Sequence, residues 1–279
     1  VSTLRDKQLR LEENLRTLGG VLVAYSGGVD SAYLAWCSHR VLGDRMRAVI
    51  ADSPSLARSH FADALYFARA HGIPLEIIQT DEMENGDYVK NDTQRCFHCK
   101  SELFAKMALV QARLSAAHLA YGMNCDDQGD FRPGQRAASN HGVLAPLVDA
   151  GLTKADVRQL AREAGLEVWD KPASACLSSR LAYGQAVTRE KLTRIEMAED
   201  YLRSRGLVQF RVRDHGPIAR LEIARDEMDQ VLMVDELAEI SAEIKALGFD
   251  YVALDCDGFQ SGSMNRVLAA ASAHASGLS

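Results

Sequence analysis

The chain has 279 residues, 47% of them hydrophobic and 25% charged, the balance of a sequence that buries a core. Its 32 Lys and Arg against 38 Asp and Glu give a formal charge of −6, which argues against a general nucleic-acid binder while leaving room for a local basic pocket. Six cysteines are too sparse for a disulfide scaffold, no apolar run reaches the roughly 20 residues of a bilayer span, and the opening stretch has a charged helical period unlike a secretory signal, so a soluble cytoplasmic protein with no membrane partner is expected.

Leu4, Leu11, Leu15 and Leu18 fall on one face of a helix over about 4–18, which Gly19-Gly20 ends. Val21–Ala24 reads as a short buried strand, followed by a polar turn and an apolar helix through Val41. A second strand at 47–52 is closed by Ser53-Pro54; a helix at about 57–71 leads to a third strand at 75–79. A helix at about 100–115 precedes a strand at 118–121, and the stretch 125–150 reads as loop-like. Helices alternating with strands predict a parallel sheet covered on both faces. A helix at about 153–164 and an irregular polar stretch over 168–180 follow. Beyond it come a helix at about 188–205, strands at 209–214 and 219–223, helices at about 225–233 and 235–246, and a strand at 251–255, the pattern of a small α+β domain. The expected division is 1–183 and 184–279, with a frayed Ala/Ser-rich end over 269–279. Val231, Leu232, Met233 and Leu237 serve either the small domain's core or a subunit contact.

The most informative stretch is Ser26-Gly27-Gly28-Val29-Asp30-Ser31, between a buried strand and a helix. Two glycines let successive N–H groups turn inward as an anion-binding nest, and the following helix adds its positive end. Ser26 and Ser31 offer hydroxyls, and Asp30 could hold Mg²⁺ against phosphates. Ala24, Asp52, Ser53, Gly122 and Asn124 sit at or just past strand ends, where open parallel sheets bind ligands. They are the candidates for contacts to ATP.

This stretch resembles the PP-loop of the ATP pyrophosphatase superfamily, whose members split ATP into AMP and pyrophosphate; a Gly-x-x-x-x-Gly-Lys-Ser/Thr loop of γ-phosphate-cleaving enzymes is absent. Gly122–Asp127, Asp130–Gly134, Lys171–Arg180, Arg211–His215, Ala219–Ile223 and Gly258–Asn265 together resemble the LarE family of ATP-dependent sacrificial sulfur transferases, over nearly the whole chain. The resemblance implies an adenine nucleotide alpha hydrolase-like α/β domain followed by a smaller α+β domain. It also implies a function in making the nickel-pincer nucleotide, by adenylating a carboxylate of pyridinium-3,5-biscarboxylate mononucleotide and converting it to a thiocarboxylate. In one branch the sulfur is the enzyme's own cysteine, left as dehydroalanine.

On that resemblance Cys176 is the nucleophile, with Arg180 and Lys171 as cations that lower a thiol pKa. Ser179, Arg211 and Arg213 are candidates for holding the anionic substrate, since arginine forks match carboxylate and phosphate and alternate residues of a strand face one side. Glu199 and Glu222 resemble acidic positions near the family's divalent metal, and the family implies a homo-oligomer, a hexamer. Cys96 and Cys99 complicate the sulfur source: with Cys176 they offer three thiolates for a [4Fe–4S] cluster that would carry a sulfide from a donor. Cys125 is a spare ligand, and Cys37 and Cys256 read as packing residues. Cluster and sacrifice stay open, as do reduced structural thiols at a helix start. The rival functions are a tRNA thiolase or amide-forming ligase, which the net charge and the lack of an RNA module count against, and a nucleotide-binding regulator without turnover, which an intact Asp30 and Cys176 count against.

Overall fold

The computed structural model describes residues 2–114, 116, 118–129, 133–172 and 175–260. Of the stretches read above, Asp130–Arg132, Ala173-Ser174, Ser261–Asn265 and the 269–279 end lie outside the described residues. The chain forms two compact units, one of Val1–Tyr88 and Gln94–Ser174, the other of Val89–Thr93 and the chain from Ala175 onward.

The first unit contains α1 (Leu4–Leu18), β1 (Val21–Ala24), α2 (Val29–Leu42), β2 (Met46–Asp52), α3 (Arg58–Ala70), β3 (Leu75–Gln79), all but the last residue of α4 (Gly86–Val89), α5 (Arg95–Leu114), β4 (His118–Tyr121), α6 (Pro133–Asn140), α7 (Pro146–Asp149) and α8 (Lys154–Glu163). Reciprocal bonds between Thr3 and Asp6 box the start of α1, and Gly19 (φ 72°) ends it. The four strands are parallel in the order β3-β2-β1-β4. Strand alternation divides their side chains between two apolar layers: Val21 and Val23 pack with α1, α2 and α8, whereas Leu22 and Ala24 pack with Phe104 and Met107 of α5 and Ala137 of α6. This is the covered parallel sheet that the element order predicts.

Two helices depart from expectation in this unit. α5 begins at Arg95, five residues before the expected start, so Cys96 and Cys99 lie within it. α6 forms inside the stretch expected to be loop, because Pro133 suits a first helical turn and Ala137 and Ala138 are buried in the α5 layer.

The second unit contains α9 (Arg189–Ser204), β5 (Phe210–Asp214), β6 (Ile218–Ile223), α10 (Val234–Ala246) and β7 (Tyr251–Leu254). β5 and β6 run antiparallel, β6 and β7 parallel, and α9 and α10 supply Ala198, Leu202, Ile240 and Ile244 to a core with Phe210, Val212, Leu221 and Ile223. The expected helix over 225–233 is replaced by one 3₁₀ turn, Met228–Gln230. Glu227 is occupied there: its carboxylate accepts the N–H groups of Val208 and Gln209, each at 2.8 Å, which fixes the segment as a loop against the start of β5. No helix among the described residues is long and apolar enough to cross a membrane.

Candidate active site

In the first unit the chain leaves β1 for β2 and β3 on one side and returns to β4 on the other, so the carboxyl end of β1 is the switch point where open α/β sheets bind ligands. Ser26–Ser31 begins there; Asp52 and Ser53 lie at the end of β2, and Gly122 and Asn124 follow β4. Gly27 has φ 72°, and a Cβ on it would stand 2.7 Å from the Ala64 Cβ, so glycine alone fits. Gly28 starts α2 with no side-chain cap, leaving the first-turn N–H groups to the loop. Ser31 Oγ accepts from Ser26 N at 3.1 Å and donates to the Gly28 carbonyl at 3.0 Å, so its hydroxyl shapes the nest; Ser26 Oγ lies 3.1 Å from it.

Gly122 presses the end of β4 against α2: a Cβ there would be 2.7 Å from Ser31 N. Asn124 is buried, its Oδ1 accepting from Asp126 N at 3.0 Å. Ala24 closes β1 inside the apolar layer. Asp52 is held below the usual carboxylate range, first by the hydrogen bond from Arg58, with a 3.1 Å bond from Gln79 adding to it. The Ser53 hydroxyl donates to the buried Glu82 carboxylate. The side chains expected near adenosine thus brace the loop after β2.

The structure adds Lys154, which the sequence reading missed. Its ammonium pairs with Asp30 Oδ2 across 124 residues of chain, while Asp30 Oδ1 is buried with no hydrogen-bond partner. The only linear signal is its place at the start of a helix after a loop. Lys171 also lies in this unit, paired with Asp63 at 3.0 Å. Cys96, exposed, and Cys99, half-buried, stand at positions i and i+3 of α5.

The second unit brings Cys176, Ser179, Arg180, Glu199, Arg211, Arg213 and Glu222 into one network around the edge strand β5. Alternation puts Phe210 and Val212 in the core and frees Arg211 and Arg213 for the opposite face, where they stand across from Glu222 and Arg220 of β6. The cysteine segment is fixed to β5 by a Leu181–Asp214 bridge and by Arg213 Nη1 donating to the Ser179 carbonyl at 3.0 Å. The fully buried Arg180 forks onto Glu199, with Nε to Oε1 at 2.9 Å and Nη2 to Oε2 at 3.1 Å. Its Nη1 reaches back to the carbonyls of Ala175 at 2.6 Å and Cys176 at 3.0 Å. Three donors therefore converge on the Cys176 carbonyl: Ser179 N at 2.9 Å, Ser179 Oγ at 2.7 Å and Arg180. The Cys176 side chain itself is half-buried.

Burial pushes the Glu199 carboxyl up, but the charge and hydrogen bonds of Arg180 more than offset it and hold it below the usual range. Burial, with Arg180 next to it, lowers Arg211 to about 10, so it is cationic at neutral pH yet poorly solvated. Glu222 pairs with Arg213 at 2.7 Å and Arg220 at 3.0 Å. The two glutamates expected near a divalent metal are thus both engaged by arginines, and among the described residues no three His, Cys, Asp or Glu side chains gather as a metal-holding group.

No family model matches the chain. It is 43% identical over 260 residues to an uncharacterized protein of Synechocystis sp., covering 92% of this chain and 97% of that protein. It is 35% identical over 270 residues to the pyridinium-3,5-bisthiocarboxylic acid mononucleotide synthase of Lactiplantibacillus plantarum, covering 96% of this chain and 97% of the synthase. A tRNA-specific 2-thiouridylase MnmA of Rickettsia felis is 30% identical over 192 residues, only 55% of this chain and 52% of that enzyme. The near-complete match to the synthase, on a parallel-sheet unit with the Ser26–Ser31 nest at its switch point, places this protein in the LarE family.

Proposed function

We propose that this protein is an adenylating sulfur transferase that converts carboxylates of pyridinium-3,5-biscarboxylate mononucleotide to thiocarboxylates. The observation that carries the reading is the 35% identity to the bisthiocarboxylate synthase across both chains. The geometry supports it: neutral N–H donors and the uncapped start of α2 suit the phosphates of ATP. Asp30 Oδ1, buried and without a donor, fits a divalent cation, which when bound would neutralise phosphate charge. A substrate carboxylate oxygen would attack the α-phosphorus, and the electron pair of the broken bond would leave with pyrophosphate. Arg211 and Arg213, on one face of β5, suit a substrate rich in phosphate and carboxylate.

Two sulfur sources each have an observation in their favour. For sacrifice, the Cys176 thiolate attacks the acyl-adenylate carbonyl and AMP leaves, giving a thioester. Loss of the Cys176 α-proton then breaks Cβ–S, leaving dehydroalanine and a thiocarboxylate. The three donors on the Cys176 carbonyl favour this route because they withdraw charge from the carbon that must lose that proton. For a cluster, the favouring observation is the pair Cys96 and Cys99 one turn apart on α5, which with Cys176 are the candidate ligands of a [4Fe–4S] cluster that would supply sulfide.

Incubation with ATP, magnesium and the biscarboxylate nucleotide should release AMP and pyrophosphate, and tRNA in its place should not. Release of ADP and inorganic phosphate would overturn the reading. Intact mass after anaerobic turnover separates the sources: sacrifice removes the elements of hydrogen sulfide from the protein, whereas a cluster leaves the polypeptide mass unchanged and gives iron and sulfide on assay.

A further inference from the structure

β7 ends at Leu254, but the chain keeps contact with β6 beyond it. Asp255 N donates to Leu221 O and Phe259 N to Ile223 O, each at 2.8 Å, so four steps of this segment match two of β6. The excess is taken up in a tight turn. Asp255 Oδ1 accepts from Asp257 N at 2.9 Å, and Gly258 N donates to Asp255 O at 3.0 Å. Gly258 has φ 72°, and a Cβ on it would stand 2.7 Å from Ile223 O, so glycine alone lets the chain close on β6. Arg220 pairs with Asp255 and, at 3.0 Å, with Glu222, which ties the turn to the strand beside β5. The half-buried Phe259 ring then reaches Arg211 of β5, whose guanidinium carbon stands 5.1 Å over the ring centroid.

We propose that Phe259 is a positioning residue for substrate binding: its ring fixes the orientation in which the Arg211 guanidinium meets a phosphate or carboxylate of the pyridinium nucleotide. This rests on the substrate reading above. The neighbouring arginines are held in another way. Arg180 forks onto Glu199, and Arg213 bonds Glu222 and the Ser179 carbonyl, so carboxylates engage their N–H donors. An aromatic ring acts on the face of a guanidinium and makes no demand on the in-plane N–H groups that fork onto an anion. Arg211 Nη1 also donates to the Phe210 carbonyl at 2.5 Å, which fixes one edge of the same group. The constraint matters because Arg211 is buried beside the like charge of Arg180, which drives a long side chain to swing away. The ring compensates that charge from one side and holds the fork in place for the ligand.

Two calorimetric titrations of the full chain read the effect. One uses the biscarboxylate nucleotide without ATP; the other uses inorganic phosphate on protein whose nest is filled with ATP and magnesium. Phe259→Leu keeps the apolar bulk and removes the aromatic face, and it should weaken both ligands about fivefold. Phe259→Tyr keeps the face and should restore wild-type binding, and ATP affinity should stay the same in both variants. In an Arg211→Gln background Phe259→Leu should cost nothing further, because the ring acts through that guanidinium. Equal binding by wild type and Phe259→Leu, or a further fivefold loss in the double variant, overturns the assignment of Phe259 alone. Phosphate binding that depends on both residues, with no binding of the nucleotide, overturns the substrate reading and keeps the assignment. A wild-type chain that binds neither ligand overturns both.

Discussion

Removing the Glu199 carboxylate would leave the Arg180 guanidinium buried without its counter-charge and the Val212 N–H without its 3.1 Å acceptor. Glu199→Ala should therefore destabilise the protein by about 3–5 kcal/mol in denaturant unfolding, as removal of one partner of a buried pair does. The same pair fixes the sign of a pH effect. Folded Glu199 titrates below its unfolded value, about 4.3 for a glutamate, so its contribution is full above that pH and is lost as pH falls through the lower folded value. Glu199→Gln should flatten the acid limb of the stability curve, and an unchanged limb would contradict the pairing. Arg211 runs the other way. Burial and the neighbouring Arg180 disfavour its charge, so Arg211→Gln should raise stability by a few tenths to about 1 kcal/mol while weakening the anionic substrate about tenfold or more. That opposition is the signature of a binding residue, and calorimetry beside thermal unfolding checks it. At this scale the sequence was informative where residue type alone carries meaning. Cys176, Ser179, Arg180, Arg211 and Arg213 were all candidates, and they form one network. What the line of residues could not show was that Arg180 is locked onto Glu199 and that Lys154 meets Asp30, because these partners are 19 and 124 residues away.

Elements place those residues through a simple periodicity. In β1 and β5 alternation sends neighbouring side chains to opposite faces, and both strands read from the sequence lie where expected. α5 and α6 were harder because their signals are weak: Arg95 to Cys99 looks polar, and Pro133-Gly134 looks like a turn. Glycines illustrate the same divide. Gly27 was legible from its place in the nest, whereas Gly122 gains its meaning only from the approach of β4 to α2. Gly122→Ala would put a methyl 2.7 Å from Ser31 N, against backbone that cannot step aside. We expect a loss of about 1–3 kcal/mol in stability, typical of overpacking, together with weaker ATP binding because the first turn of α2 is displaced. An alanine variant with wild-type ATP affinity would show that the close approach is not needed by the nest.

At the level of the whole molecule, the parallel sheet and its switch point were readable from element order, since strands alternating with helices admit few arrangements. Less readable is that the second unit is assembled from two separate stretches of chain. Val89–Thr93 contains no periodicity to announce this. Two backbone bonds and one side-chain bond hold it: Asn91 O accepts from Gly184 N at 3.0 Å, Val89 O accepts from Val187 N at 2.9 Å, and Asn91 Nδ2 donates to Ala182 O at 2.8 Å. Asn91 is fully buried at φ 57°, a left-handed conformation that asparagine tolerates better than other side chains do. Asn91→Gly keeps that conformation and loses the side-chain contacts, the bond to Ala182 O among them; Asn91→Ala loses that bond too and adds backbone strain of about 1 kcal/mol. Hydrogen exchange at Gly184 and Val187 should accordingly quicken in Asn91→Gly and quicken by about a further fivefold in Asn91→Ala. Equal protection in wild type and both variants would mean that the short segment rests on the second unit without securing it.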